Sequence, residues 1–236
     1  MELDSELRGG KVGKRRAKKL WQKVGLVIGG IVVVTVAGWF VYQFVLFPGD
    51  TDEIGELTTV EDWREALPKI KARAERASAT REDKEKYGQA LRVLGDLDGA
   101  IEVYKGLDDA LSLGNMYRDK AAKAKVIKGE NAAEVKEYLD KAVEYYRKAI
   151  DKNTEETAAV VNLASILEER GEADEAVEVY VDAILKATKD VSLEMLKAQL
   201  GRLYDRLGRA DEARAMYLEV LELNPNNQMA KNGLGE

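Results

Sequence analysis

The apolar residues of this 236-residue chain follow two different patterns. Residues 24–49 are mostly apolar and include no charged side chain, whereas from residue 60 onward apolar residues recur among charged ones at helical spacing. The first pattern is typical of a helix with apolar surroundings on all sides, and the second of amphipathic helices that bury one face. Proline occurs only three times, so the sequence predicts an all-α protein.

The uncharged stretch predicts a single transmembrane helix over residues 24–47. At about 1.5 Å per residue this helix would be roughly 36 Å long, enough to cross a hydrocarbon core of about 30 Å. Trp21 lies before it and Phe47 at its end, where interfacial aromatic residues are common. A cleaved signal peptide with its site at Thr35–Ala37 is the alternative, but a long apolar run would then follow the cleavage site. We therefore expect an uncleaved anchor that contacts membrane lipid.

Charge is distributed unevenly on the two sides of this predicted span. Residues 1–23 carry eight basic and three acidic side chains, whereas the whole chain has a formal net charge of −6. The positive-inside rule predicts a cytoplasmic segment at residues 1–23 and an extracytoplasmic C-terminal domain, in the cell (inner) membrane. Gly25 and Gly29 form a G-x-x-x-G pair, which would let two spans pack closely in a homo-oligomer. Residues 48–59 are polar and glycine-containing, and we interpret them as a linker.

Residues 60–80 predict an N-terminal helix that precedes the main domain. Thr59 and Glu61 are both candidates for the start of this helix, because they come directly before the first apolar-periodic residues. We expect the helix to run to Ala77, with Pro68 in an early turn.

The region over residues 81–236 repeats one arrangement of small and aromatic residues. A small residue is followed after seven positions by a glycine, after five more by an alanine and after four more by a tyrosine. Such internal repetition predicts helical pairs that stack into a solenoid. The three copies are Gly88, Gly95, Ala100 and Tyr104; Ala164, Gly171, Ala176 and Tyr180; and Gly201, Gly208, Ala213 and Tyr217.

A further copy is split by an insertion. Residues 113–117 match the first helix of a unit, and Ala142, Tyr146 and Ala149 match the second. The separation between the two halves exceeds the regular spacing by 16 residues, which places an insertion near residues 118–133. The solenoid therefore has about four repeats, three of them regular.

These residues resemble the tetratricopeptide repeat family, in which each unit is a helix-turn-helix. The resemblance covers residues 81–227 and is strongest in the last unit, although the early tryptophan of the first helix is absent. It implies a scaffold that binds other proteins on a concave face lined by the first helix of each unit. The matching residues of the last unit are Leu200, Gly201, Tyr204, Gly208, Ala213, Tyr217 and Pro225.

The concave face implied by this resemblance carries amides and charges of both signs, which suit a polypeptide ligand. The acidic bulk of the chain disfavours nucleic acid because it repels phosphate. Members that hold a C-terminal carboxylate use lysines, an arginine and asparagines at positions that correspond here to Glu85, Gln89, Ser112, Ala158 and Asn162. Only Asn162 fits, so we do not expect that activity. The candidate partner-binding residues are Asn115, Asp119, Asn162, Ser165, Glu169, Gln199, Arg202 and Arg206.

The insertion predicts a pair of helices that project beyond the solenoid. Asn131 and Glu134 have the spacing of a capping box and should start the second of these helices. The lysine-rich face could contact an acidic partner or anionic lipid, although such a face more often only keeps an extended helix soluble. The candidate residues on the projection are Lys120, Lys123, Lys125 and Lys128, with Arg118 beside them.

The C-terminus and the absence of reactive side chains bear on function. Only nine residues follow Asn227, and Gly233 and Gly235 should weaken a capping helix, so we expect a thinly covered edge that meets another chain or frays. The chain has no histidine or cysteine and no recognisable catalytic motif, so we expect neither an enzyme nor a cofactor or metal site. The leading interpretation is a membrane-tethered scaffold or adaptor for assembly of a cell-envelope complex such as secretion, pilus or motility machinery. The alternatives are a translocon-associated periplasmic helper and an organelle import receptor with cytosolic repeats.

Overall fold

The computed structural model describes residues 57–235, and within this part of the chain every regular element is an α-helix. The predictions for residues 1–23, for the span 24–47 with Gly25 and Gly29, and for most of the linker 48–59 lie outside the described residues. No helix between residues 57 and 235 is long and apolar enough to cross a membrane. The helices are α1 (Val60–Ala74), α2 (Arg81–Val93), α3 (Leu97–Gly106), α4 (Ala110–Lys128), α5 (Ala133–Lys152), α6 (Thr157–Glu169), α7 (Ala173–Lys186), α8 (Asp190–Arg206), α9 (Ala210–Leu223) and α10 (Gln228–Leu234).

The helices form a succession of antiparallel pairs, in which each helix packs mainly on the next one along the chain. The pairs are α2 with α3, α4 with α5, α6 with α7, and α8 with α9, while α1 packs on α2 and α10 packs on α9. The first helices of successive pairs also touch, α4 on α6 and α6 on α8. This arrangement confirms the predicted all-α solenoid of about four helix-turn-helix units.

Helix α1 begins as the sequence indicates but ends early. Thr59 is its N-cap, and Thr59 and Asp62 form a reciprocal capping box. The helix ends at Ala74, three residues before the predicted end at Ala77. Pro68 lies in the third turn and not in an early one, on an exposed side of the helix.

Each regular unit has a glycine at its turn, and the small residue of its first helix is a glycine in two units and Ala164 in the third. Gly208 has a φ of 71°, a left-handed conformation that other residues resist, and it ends α8 while Arg209 N–H bonds back to the Tyr204 carbonyl at 2.9 Å. Gly201 is needed for space, because a Cβ there would lie 2.7 Å from a ring carbon of Tyr217. The turn glycine therefore meets a conformational requirement, and the small residue of the first helix meets a steric one.

A tyrosine in the second helix of each unit fills the space between helices. Tyr104, Tyr146, Tyr180 and Tyr217 are all at most 7% exposed, and burial raises the pKa of both Tyr146 and Tyr180 to about 12. They belong to a single apolar core that runs from Leu91 to Ala230 through the four pairs. A unit cannot bury this face alone, so stacking supplies the core.

The insertion lengthens the second pair, but its turn differs from the prediction. Helix α5 begins at Ala133 after Ala132, which makes no side-chain cap. The Glu134 carboxylate accepts a hydrogen bond from Lys128 instead of closing a capping box with Asn131, so that prediction was wrong. The reason is that Ala132 and not Asn131 is the N-cap, so Glu134 lies one position too early in the helix to close the box.

The C-terminal edge is better covered than the sequence suggests. Asn227 caps α10 through a 2.9 Å bond from Ala230 N–H, and Ala230 is fully buried. Gly233 lies so close to the Tyr217 ring that a Cβ would overlap it, which means that this glycine permits the packing of α10. The expectation of a thin, glycine-weakened edge is therefore wrong for these residues.

Candidate functional site

The first helices α2, α4, α6 and α8 line one side of the solenoid, and three cavities lie along it. The cavity between α2 and α4 has a volume of about 560 Å³. The next, between the α4–α5 pair and α6, has a volume of about 880 Å³. The last, between α6 and α8, measures about 570 Å³. All eight predicted partner-binding residues lie on α4, α6 and α8, on or beside this row of cavities.

Several of these predicted residues join neighbouring units together. The Arg118 guanidinium donates to Asn162 Oδ1 at 2.8 Å, and Asn162 Nδ2 donates to Asn115 Oδ1 at 3.1 Å. The same Asn115 oxygen accepts the Tyr146 hydroxyl at 2.8 Å. Asn115 and Asn162 therefore form a polar bridge from α4 to α6 above a buried tyrosine. Their side chains are engaged inside the scaffold.

Two ion pairs continue this inter-helix bridge along the surface. Arg92 on α2 contacts Asp119 on α4 at 2.7 Å. Arg206 on α8 binds both carboxylate oxygens of Glu168 on α6, at 2.5 and 2.6 Å. The hydrogen bond to Glu168 raises the pKa of Arg206. Asp119 and Arg206, which the sequence places in a binding surface, thus hold successive first helices side by side.

The remaining predicted residues stay available to a partner. Ser165 and Glu169 line both the 880 Å³ and the 570 Å³ cavities, so these two cavities are neighbours that share side chains. Gln199 and Arg202 line the far side of the smaller cavity, where they share a long 3.3 Å hydrogen bond. We call these two adjoining cavities the trough. Within residues 57–235, the side chains of Ser165 and Glu169 make no hydrogen bond or ion pair, and those of Gln199 and Arg202 bond only to each other.

The insertion supplies one wall of the trough, which the sequence analysis did not foresee. Ala121, Ala122 and Val135 come from the lengthened α4 and α5, and they face Glu169 and Glu172 of the third unit across the larger cavity. The inserted helices therefore add a binding wall as well as a projection. The 16 extra residues between the two halves of the split repeat predicted longer helices. The sequence did not show that these helices would border α6.

The four predicted lysines of the projection do not form one free basic face. Lys120 contacts Asp98 at 2.6 Å and lies 4.7 Å from the centre of the Tyr138 ring, so it fastens the base of the projection to α3. The bond from Lys120 lowers the pKa of Asp98. Lys125 and Lys128 contact acidic neighbours in the turn, and Lys123 is exposed one turn before the end of α4.

The residues at the five positions that bind a C-terminal carboxylate in some repeats do not form one binding site in this structure. Glu85, Gln89 and Ser112 line the 560 Å³ cavity, together with Asp109. Asn162 is occupied by Arg118. The cavity wall carries three carboxylates, those of Glu82, Glu85 and Asp109, beside the basic residues Lys86 and Arg92.

Comparison with known proteins agrees with this architecture. Two family models, both described as "Tetratricopeptide repeat", match residues 139–200 and residues 196–227. The chain is similar in fold to TTC0263, a thermophilic TPR protein of Thermus thermophilus, with 20% identity, a TM-score of 0.52, and coverage of 75% of this chain and 93% of that one. It is also similar to a human IFIT1 dimer with m7Gppp-AAAA, with 18% identity and a TM-score of 0.57 over 75% of this chain. It spans only 42% of the IFIT1 chain, and both likenesses concern the fold alone.

Such repeats form a family of non-enzymatic scaffolds that typically bind other proteins or peptides. Within residues 57–235 no cluster of acidic side chains could hold a metal ion. The two family matches show tetratricopeptide repeats over residues 139–227, and the described helices, turn glycines and stacked tyrosines have the same helix-turn-helix architecture.

Proposed function

We propose that this protein is a membrane-tethered scaffold that binds a polypeptide segment of a partner in the trough. The observation that carries the proposal is that Ser165 and Glu169 line both cavities, which makes them neighbours along α6. A single extended or helical segment could therefore contact both α6 and α8 and the wall made by the insertion. Clefts of roughly 300–1,000 Å³ with a few convergent polar groups are typical binding sites.

The lining of the trough suits a polypeptide. Ala121, Val135 and Leu139 provide apolar contact, and Ser165 and Gln199 provide hydrogen-bonding groups for a main chain. Charges of both signs remain at the rim. A mixed surface of this kind discriminates between partners through charge pattern more than through total charge.

Site-specific photocrosslinking in cells tests this proposal. A photoreactive amino acid is placed at Gln199 in the full chain, and at Glu178 on the exposed side of α7 as the matched control. We expect a discrete adduct from position 199 and none from position 178. The charge reversals Glu169→Lys and Arg202→Glu, both outside the core, should abolish the adduct at position 199. Equal adducts at both positions, or an adduct unaffected by the reversals, would contradict binding in the trough.

The membrane tether and the cellular setting are part of the same proposal. They are supported by the uncharged stretch at residues 24–47 and by the basic residues before it. In this view residues 1–23 are cytoplasmic, the repeats face the extracytoplasmic side of the inner membrane, and the bound partner belongs to a cell-envelope assembly. Resistance to alkaline extraction, together with protease cleavage of the repeats in spheroplasts but not in intact cells, is the expected result. Repeats that stay protected from protease in spheroplasts would indicate the opposite topology, with the repeats on the cytoplasmic side.

A further inference from the structure

The end of the projection exposes two adjacent apolar side chains. Val126 is 87% exposed and Ile127 is 68% exposed, and both lie in the last turn of α4. Every residue from 125 to 131, the segment that we call the tip, is exposed. The tip therefore presents a small apolar surface that nothing within the described residues covers.

Val126 and Ile127 are not part of the core that holds the inserted helices together. The buried side of the inserted helices is provided by Ala121, Ala124 and Val135, which are at most 8% exposed. Valine and isoleucine are poorer helix formers than the alanine and lysine around them, so they weaken the end of α4. These apolar side chains at an exposed helix end are thus free to contact something outside the unit.

Lysines surround this apolar pair. Lys125 and Lys128 come directly before and after it, and Lys123 lies one turn earlier on the same helix. Lys125 and Lys128 contact Glu130 and Glu134, but all four side chains are at least 41% exposed. Exposed pairs of this kind contribute little and are screened by salt, so each ammonium can exchange its partner for a phosphate.

We propose that the tip docks on an anionic lipid bilayer, with Val126 and Ile127 entering the boundary of the acyl chains and the lysines binding headgroup phosphates. This inference rests on the proposed membrane tether. The predicted linker of residues 48–59 spans at most about 40 Å, which would keep the repeats close to the bilayer. A tethered domain needs only a weak surface contact to become oriented, because the tether raises the effective concentration of that contact.

The chemistry of the tip favours lipid over a protein partner. Residues 121–131 contain no aromatic side chain and no arginine, the residues that dominate protein interfaces, whereas lysine is depleted there. Apolar residues beside lysines are typical of segments that lie in a membrane interface. Lys125, Glu130 and Asn131 of the tip also line the trough, but Val126 and Ile127 do not, so the apolar pair lies outside the site proposed for a polypeptide.

The charge of the remaining surface would orient the molecule with the tip toward the bilayer. Residues 57–235 carry 29 basic and 35 acidic side chains. The excess of acid is concentrated in residues 151–200, which hold 12 acidic and five basic side chains. An anionic bilayer repels such a surface and attracts the lysines at the tip. Docking would then leave the acidic third and fourth units facing away from the lipid.

The absence of cysteine from the chain allows a direct test by single labels. Ile127→Cys is labelled with an environment-sensitive fluorophore in the full chain, which is reconstituted in vesicles of phosphatidylglycerol and phosphatidylcholine with a spin-labelled quencher lipid. Leu185→Cys on α7 is the matched control, because Leu185 is 78% exposed but lies away from the tip. We expect a blue shift and quenching at position 127 and neither at position 185. Both effects should diminish at high salt, in pure phosphatidylcholine, and with Lys123→Glu and Lys125→Glu combined.

Each other outcome has a definite meaning. Solvent-like fluorescence at position 127 in anionic vesicles would overturn the proposal. A blue shift that requires another protein and is not quenched by lipid would assign the tip to a protein partner, which also overturns it. If alkaline extraction removes the chain from the vesicles, the tether has failed. In that case quenching at position 127 by vesicles added at neutral pH still supports the tip contact, and its absence refutes it.

Discussion

The two edges of the solenoid are built differently. One edge, the loop edge, consists of the loops between successive pairs, and side chains join each loop to the next. Lys152 contacts Asp108 at 2.5 Å, and Thr188 donates from its N–H and its hydroxyl to Glu155, both at 2.7 Å. At the opposite edge, the turn edge, each regular turn is closed mainly by its own backbone around a glycine such as Gly208.

This difference explains where the insertion lies. Lengthening a turn within a pair extends two antiparallel helices together, and their stacking on neighbouring units is unchanged at the base. Lengthening a loop between pairs would separate residues such as Glu155 and Thr188, which must meet for the units to stack. The turn edge is therefore the edge where sequence can be added, and additions there are free to serve binding.

The largest expected effect is a difference in the free energy of unfolding between a variant at the base of the projection and a variant at its tip. Tyr146 is fully buried on α5, so Tyr146→Ala should lower the free energy of unfolding by about 3–5 kcal/mol. Ile127→Ala at the tip should change it by less than about 0.5 kcal/mol. Urea denaturation followed by circular dichroism measures both. Similar losses for the two variants would show that the tip is packed in a way the contacts do not reveal.

Removing the insertion tests the tolerance of the turn edge. Deletion of residues 122–137 combined with Ala121→Gly restores the regular spacing from Gly114 to Ala142. We expect a cooperative transition and a loss of about 2 kcal/mol, because the burial of Ala124 and Val135 is lost. Adding four glycines after Ala187, in the loop edge, should cost more. A deletion variant without cooperative unfolding would contradict the idea that the inserted helices are an addition to a complete unit.

A smaller effect distinguishes ion pairs between units from those at the tip. Glu168→Gln removes the partner of Arg206, and because this pair is partly exposed the expected loss is about 0.5–1 kcal/mol. Lys125→Gln removes only the exposed contact to Glu130 and should leave stability unchanged. Thermal unfolding of both variants at low and high salt makes the comparison. A greater loss for Lys125→Gln would overturn the view that the tip lysines are available to a ligand.

A pH-dependent effect on stability is expected at the loop edge. The nearby Ser192 hydroxyl and the two hydrogen bonds from Thr188 lower the pKa of Glu155 to about 2, from an ordinary value of 4.5. A carboxylate with a depressed folded-state pKa stabilises the fold above about pH 4.5, and this contribution is lost as the pH falls toward about 2. Glu155→Gln should therefore be less stable than the natural chain at about pH 6. Its deficit should disappear between about pH 5 and pH 2, and a deficit independent of pH would assign the effect to packing instead.

Much of the fold follows from local sequence signals. The spacing of Gly201, Gly208, Ala213 and Tyr217 predicted the helical pairs, because each residue type answers a local steric or conformational need. The capping box predicted at Asn131 is absent because the helix begins one residue later, with Ala132 as its N-cap. The C-terminal edge was misjudged because Gly233 weakens a helix locally but allows contact with Tyr217.

The binding surface was harder to predict. Sequence placed eight polar residues on the lining helices but could not distinguish Asn162, which bridges two helices, from Glu169, which faces the trough. Both are polar residues on the same first helix. Whether such a side chain meets a partner within the fold depends on a residue more than 30 positions away, as Arg206 and Glu168 show.

For this protein the sequence alone determined the all-α class, the repeat spacing, the place of the insertion and the expectation of a membrane anchor, because these depend on neighbouring residues and on helical periodicity. Only the tertiary structure decided that the inserted helices wall a trough, which polar residues hold the units together, and that Val126 and Ile127 remain uncovered within the described part of the chain. These features depend on distances between units, which residues far apart in the chain set together.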